Sequence, residues 1–122
     1  MPVVVGDIVD FARTLERTDV VVVGGRRKLR VGSMVYASFF EEDGLMGFGY
    51  PKEERGALVA SDPRTFFLPR DSDLRFNWVL VSLDAIDLDE ARELVLDAWG
   101  MVVPRFLFRA RLAAMTIPLD ES

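Results

Sequence analysis

Residues 76–104 read FNWVLVSLDAIDLDEARELVLDAWGMVVP, and this stretch decides the fold. Its opening alternates, with Phe76, Trp78, Leu80 and Ser82 on one face and Asn77, Val79, Val81 and Leu83 on the other. Aromatic and β-branched side chains occupy both faces in the middle, which predicts a central strand covered on both sides. Beyond it, Ala91, Leu94, Val95, Ala98, Trp99 and Val102 recur at spacings of three and four, one stripe of an α-helix. Asp89, Glu90, Arg92, Glu93 and Asp97 fall mostly on the other side. Asp87 and Glu90 have the spacing of a capping box. Gly100 weakens the helix locally, and Pro104 ends or kinks it. Burying such a stripe stabilises by about 1.5–3 kcal/mol per large side chain, so the helix must pack on the sheet.

Working outward, the chain begins with a helix that Asp7 can cap and that buries Ile8, Phe11, Ala12 and Leu15, ending near Thr18. Val20–Val23 is a short apolar run, Gly24-Gly25 a turn, and Lys28–Val31 a strand after it. Gly32-Ser33 is another tight turn. Met34–Phe40 and Leu45–Tyr50 are strands joined by the polar tip Glu41-Glu42-Asp43-Gly44, an antiparallel meander. Pro51 opens a helix with Glu53 and Glu54 in its first turn and Ala57 and Leu58 inward, stopping before Asp62-Pro63. Thr65–Leu68 is extended, Pro69–Arg75 is a charged loop, and RFLFRARLAAM after Pro104 reads as a final helix. The expectation is one α+β domain over residues 1–122, in the order α-β-β-β-α-β-β-α, a mainly antiparallel sheet with helices packed on it.

The composition narrows function by exclusion. A chain of 122 residues buries enough surface to fold without staples. It has no cysteine, hence no disulfide, thiolate nucleophile or Cys-ligated zinc. It has no histidine either, which removes the commonest general base, the commonest transition-metal ligand and the Ser-His-Asp triad together. The start, MPVVVGDIVDF, has no basic n-region and meets Asp7 and Asp10 at once, unlike a signal peptide. No run has the length of a membrane span. A cytoplasmic protein without membrane contact is the expectation.

Charge is uneven along the chain. Residues 1–40 hold six basic and four acidic groups (+2), residues 41–100 six and fourteen (−8), and the last stretch three and two (+1), for a net −5. Thirteen of the fifteen cations are Arg, the better bidentate partner for phosphate or carboxylate.

Two longer stretches carry a family resemblance. GFGYPKEERGALVASDPRTFF followed by FNWVLVSLDAIDLDEARELVLDAW resembles the MmcQ/YjbR family of small bacterial proteins. The matching positions are Pro51, Glu54, Leu58, Asp62-Pro63, Phe66-Phe67, Trp78-Val79 and Asp97-Ala98-Trp99, and the likeness covers residues 6–104. The resemblance implies the same helix, three strands, helix, two strands, helix order, in a fold similar to that of secretion chaperones. It also implies a DNA-binding protein, a description that rests in that family on structural analogy. This chain departs from the family in having Val20–Val23 where members carry an aromatic and a proline, and in ending Asp120-Glu121-Ser122 where they carry a basic tail.

The feature that fits DNA is Arg26-Arg27-Lys28-Leu29-Arg30, four cations in five positions beside Gly24-Gly25. Such a cluster displaces condensed counterions from a phosphate backbone, and Arg105, Arg109 and Arg111 would add to it if the C-terminal segment lay nearby. The plainer alternative is a solvated hairpin edge whose charges prevent strand-to-strand aggregation. Other constellations lack chemistry. Glu41-Glu42-Asp43-Gly44 is too poor in oxygen ligands for a hard cation, and Asp71-Ser72-Asp73 meets Arg75 and Phe76 where a calcium loop needs a ligand and a glycine. Gly47-Phe48-Gly49 has no Lys-Ser/Thr after it and belongs to a strand. Trp78 and Trp99 both lie on core-facing periodicities, which predicts packing.

The expectation is therefore a non-enzymatic binding module, with no catalytic residue, no metal and no cofactor. Its nucleic-acid contacts would be Arg26, Arg27, Lys28 and Arg30. The alternative is a protein- or peptide-binding module, chaperone-like or self-associating as a homodimer, using a sheet face or Phe106, Leu107, Phe108 and Leu112.

Overall fold

The computed structural model describes residues 3–115. Among them, four helices and six strands run in the order α1 (Val5–Ala12), β1 (Thr18–Val23), β2 (Arg26–Val31), β3 (Met34–Phe40), β4 (Leu45–Gly49), α2 (Arg55–Ser61), β5 (Phe66–Phe67), β6 (Trp78–Ser82), α3 (Leu88–Gly100) and α4 (Arg105–Met115). The strands form one antiparallel sheet ordered β1-β2-β3-β4-β6-β5. The α+β class and antiparallel sheet are as expected. The order differs in two places. Val20–Val23 lies in a full strand, because Gly24 and Gly25 (φ 62° and 80°) both take the left-handed conformation that a two-residue hairpin turn requires. The C-terminal region holds two helices where that order counts one, as the separate reading of RFLFRARLAAM as a helix expects, and Pro104 begins α4 by accepting from Leu107 N–H at 3.0 Å.

Register separates the two faces of the sheet. Val20, Leu29, Ala37, Phe48 and Val79 are aligned across five strands, and this side is covered by helices. Val21, Lys28, Ser38, Gly47, Leu80 and Phe67 are aligned on the other side. The core gathers Phe39, Met46, Phe48, Val79 and Val81 from the sheet with Ile8, Ala12, Ala91, Val95, Ala98 and Trp99 from α1 and α3. Trp99 is fully buried, donates Nε1–H to the Glu16 carbonyl at 2.9 Å, and packs on Phe108 with ring centroids 6.3 Å apart. Gly100 is where α4 closes on α3, since a Cβ there would come within 2.5 Å of the Phe108 ring.

Several local expectations change. The capping box forms, with Glu90 N–H donating to Asp87 and Asp87 N–H to the Glu90 carboxylate. Asp7 does not cap α1; Val4 precedes the helix and Asp7 sits in its first turn, where the dipole still favours an anion. The helix ends at Ala12 rather than near Thr18, yet Leu15 is buried in the turns that follow. Pro51–Glu54 forms a turn, so α2 starts at Arg55 without acidic residues in its first turn, and Ala57 is exposed. The strand expected over 76–83 is shorter and lies next to the edge strand β5. Its side chains Val79 and Val81 are buried, whereas Trp78 and Leu80 are only half-buried, so one face is largely uncovered.

Tyr36 sits at a bulge: Leu29 pairs with Ala37 and Arg30 with Val35, leaving Tyr36 opposite no residue of β2. Its ring is buried and its hydroxyl shares a 2.8 Å hydrogen bond with Thr18. Burial pushes the phenol up to about 12, against a smaller opposing effect of the Thr18 bond. The unfolded phenol titrates at its ordinary value of about 10, so the fold has this stabilisation in full below that pH. It is lost as pH rises from about 10 through 12, by about 2 kcal/mol. Urea midpoints measured across that window should fall for the native chain and fall less for Tyr36→Phe. An equal decline in both would assign the alkaline loss to other groups.

Candidate functional site

The uncovered sheet face carries a cleft of about 610 Å³, with a side recess of about 130 Å³. Strand β2 contributes Arg26 and Lys28, two positions apart and hence on the same side. Strand β3 contributes Ser38 and Phe40 from the same face. The opposite wall is the segment from Arg70 to Trp78, with Arg70, Asp73, Arg75, Phe76 and Trp78. The C-terminal end of α3 closes one end with Met101 and Val102. Among the described residues lining the cleft there are four cations and one carboxylate, Asp73, a local balance of +3 (4 − 1) on a chain of net −5.

The opposite wall is held in place by α2 and the turn before it. The Arg55 guanidinium donates to the carbonyls of Leu74, Phe76 and Trp78, the second at 2.8 Å and the third at 3.3 Å. Lys52 donates its backbone N–H to the Asn77 side chain at 3.0 Å and its ammonium to the Arg75 carbonyl at 3.2 Å. The Leu74, Arg75 and Phe76 carbonyls, ahead of β6, are thus satisfied by side chains of α2 and the turn before it. Gly47 lets the Trp78 indole lie close to the sheet, since a Cβ there would come within 2.6 Å of the ring.

The cations differ in what already occupies them. Arg26 lies over the Phe40 ring, 4.2 Å from its centroid, with Glu42 at 3.9 Å. Arg75 lies over the Phe76 ring at 4.6 Å, and Arg70 pairs with Asp73 at 3.1 Å. Arg27 makes a two-pronged pair with Glu41, both bonds 3.0 Å. That hydrogen bonding holds the Glu41 carboxyl below and the Arg27 guanidinium above its ordinary range. The hairpin-tip carboxylates Glu41 and Glu42 are thus partners of the basic turn.

The structure divides the four sequence-predicted cations. Arg26 and Lys28 line the cleft; Arg27 is paired outside it, and Arg30 lies beyond the bulge with its Nε buried and without a hydrogen-bond partner. Arg111 belongs to the helical layer, where it donates to Thr14 at 3.0 Å and lies over Phe11. Among the described cleft residues Arg105, Arg109 and Arg111 do not appear. Sequence reasoning missed Arg70, Arg75, Phe76 and Trp78 as site residues. The available signal was the charged loop ending Arg75-Phe76, whose spacing excludes calcium but whose arginines and aromatic suit an anion. Trp78 is half-buried in the cleft wall, not in the helix-covered core with Trp99.

The family described as YjbR matches residues 11–101. No curated protein matches the chain. Among solved structures, protein DR2400 of Deinococcus radiodurans, which carries a DUF419 domain, is similar over 96% of this chain and 92% of its own, with a TM-score of 0.70 and 16% identity. A likeness at that identity concerns the fold. Among the described residues no helix is long and apolar enough to cross a membrane.

Proposed function

The chain belongs to the YjbR family, and on that footing we propose that it is a non-enzymatic binding protein whose open-face cleft holds the phosphate backbone of a nucleic acid, DNA in the first instance. The observation that supports this reading is the convergence of Arg26, Lys28, Arg70 and Arg75 on one cleft of an otherwise acidic chain. Cations on facing walls can meet successive phosphates of one strand, and each contact releases condensed counterions. The overall negative charge opposes long-range approach, so binding is weak at physiological salt and steepens as salt falls.

Fluorescence anisotropy with labelled duplex and single-stranded DNA, titrated from low to physiological salt, tests this. The expected result is micromolar binding at low salt, reduced about a hundredfold in the Lys28→Glu, Arg75→Glu double variant. Arg27→Ala, which alters a cation already committed to Glu41, should change affinity by about twofold at most. A double variant that binds as well as the native chain would remove the cleft from the account.

A second reading is favoured by a different surface. Strand β1 is a sheet edge with unpaired backbone groups, and its Val22 and Val23 are 66% and 54% exposed. Such an edge suits pairing with another polypeptide or a second copy of this chain. Association of that kind survives high salt, whereas cleft binding does not.

A further inference from the structure

Resting on the backbone reading, we infer that the cleft accepts an unstacked nucleobase together with its phosphate, so that its ligand is a single strand or a free nucleotide and not a duplex. The side recess carries this. It is lined by Arg26, Phe40, Pro69, Arg70, Asp73, Trp78 and Leu80, a set with an indole, a phenyl ring and a leucine around the space and two guanidinium groups beside it. A surface meant only for phosphates needs cations and no apolar recess behind them. A surface that takes single strands combines cations with aromatic side chains on which bases stack.

The geometry fits a planar ring in particular. The Arg26 guanidinium lies over the Phe40 ring, 4.2 Å from its centroid, and both line the recess together with Trp78 on β6. Gly47 allows that indole to lie low on the sheet, as any larger residue would collide with it. Asp73 offers a carboxylate to the N–H groups of a base edge, and its Arg70 partner stays beside a phosphate path. At the mouth, Phe76 is 49% exposed beneath Arg75, a second platform for a neighbouring base. Ser38, which lines the main cleft beside its cross-strand neighbour Lys28, is 4% exposed, and its buried Oγ has no hydrogen-bond partner. The main cleft, about 610 Å³, falls within the usual size of a small-ligand site. A duplex presents its bases stacked and paired, and cannot put one into the recess without opening.

The test uses the native chain and two oligonucleotides of equal length, oligothymidylate and its abasic counterpart, which share every phosphate. Binding is followed by anisotropy and by quenching of the Trp78 emission over the constant background of buried Trp99. The expected result is saturable quenching by oligothymidylate and affinity at least about tenfold above that for the abasic strand and for a duplex. Trp78→Ala should remove that preference, so that intact and abasic strands bind alike. A nucleoside monophosphate separates the two sources of the ligand: quenching at a concentration like that of the oligonucleotide marks a free nucleotide, and quenching only by the oligonucleotide marks a strand. Equal affinity for intact, abasic and duplex forms without quenching overturns base insertion and leaves the backbone reading intact. No binding of any of them at low salt overturns both. The comparison of intact with abasic strand needs no variant, so it decides the matter even if a Trp78→Ala chain fails to fold.

Discussion

Replacing Trp99 by alanine should lower the unfolding free energy by about 3–5 kcal/mol, the cost of deleting a large buried aromatic from a packed core. Trp99 is inaccessible to solvent and stands where α3 meets both α4 and the turn after α1. Removing it takes away the ring under Phe108 and leaves the Glu16 carbonyl without its donor. A domain of this size is stable by only about 5–15 kcal/mol, so this one change consumes a large share of the margin. Trp99→Phe keeps most of the packing and loses the indole N–H, for an expected cost of about 1–2 kcal/mol. Urea denaturation followed by circular dichroism measures both. If Trp99→Phe proved as unstable as Trp99→Ala, the stabilisation would lie in the hydrogen bond and not in the ring.

Arg55→Met should produce the second large effect, about 1.5–3 kcal/mol of stability, since it removes a charged donor from three backbone carbonyls while keeping an apolar stem. The loss is local. Amide exchange in residues 70–77 should accelerate while β3 and β4 stay protected, because Arg55 ties the cleft wall and not the sheet interior. Arg55→Lys should recover little, as a single ammonium cannot reproduce a planar fork that reaches several acceptors at once. Recovery of full protection by lysine would mean that charge alone holds the wall. On the proposed function, Arg55→Met also weakens nucleic-acid binding, although Arg55 is outside the lining of the cleft, because Arg70 and Arg75 ride on the segment it fixes.

The features legible in the chain alone are local ones. The capping box at Asp87 and Glu90, the α3 stripe, the turn at Gly24-Gly25 and the Met34–Phe40 hairpin are all encoded within a few residues, where spacing maps directly onto one face or one turn. The stretch over 76–83 is legible as a strand but not in its surroundings: alternation shows two faces and does not say which one the helices cover. Tertiary packing alone sets α1, α3 and α4 on the Val79–Val81 side, leaving Trp78 and Leu80 beside a cleft. The site has the same origin. Arg26 and Lys28 reach Arg70 and Arg75 only because the antiparallel order brings β2, β3, β4 and β6 side by side and Arg55 folds the intervening loop back. Arg27, in the same basic run, is taken by Glu41 because a hairpin places that carboxylate beside it. Long-range partners are chosen by packing and strand pairing, which no local pattern encodes.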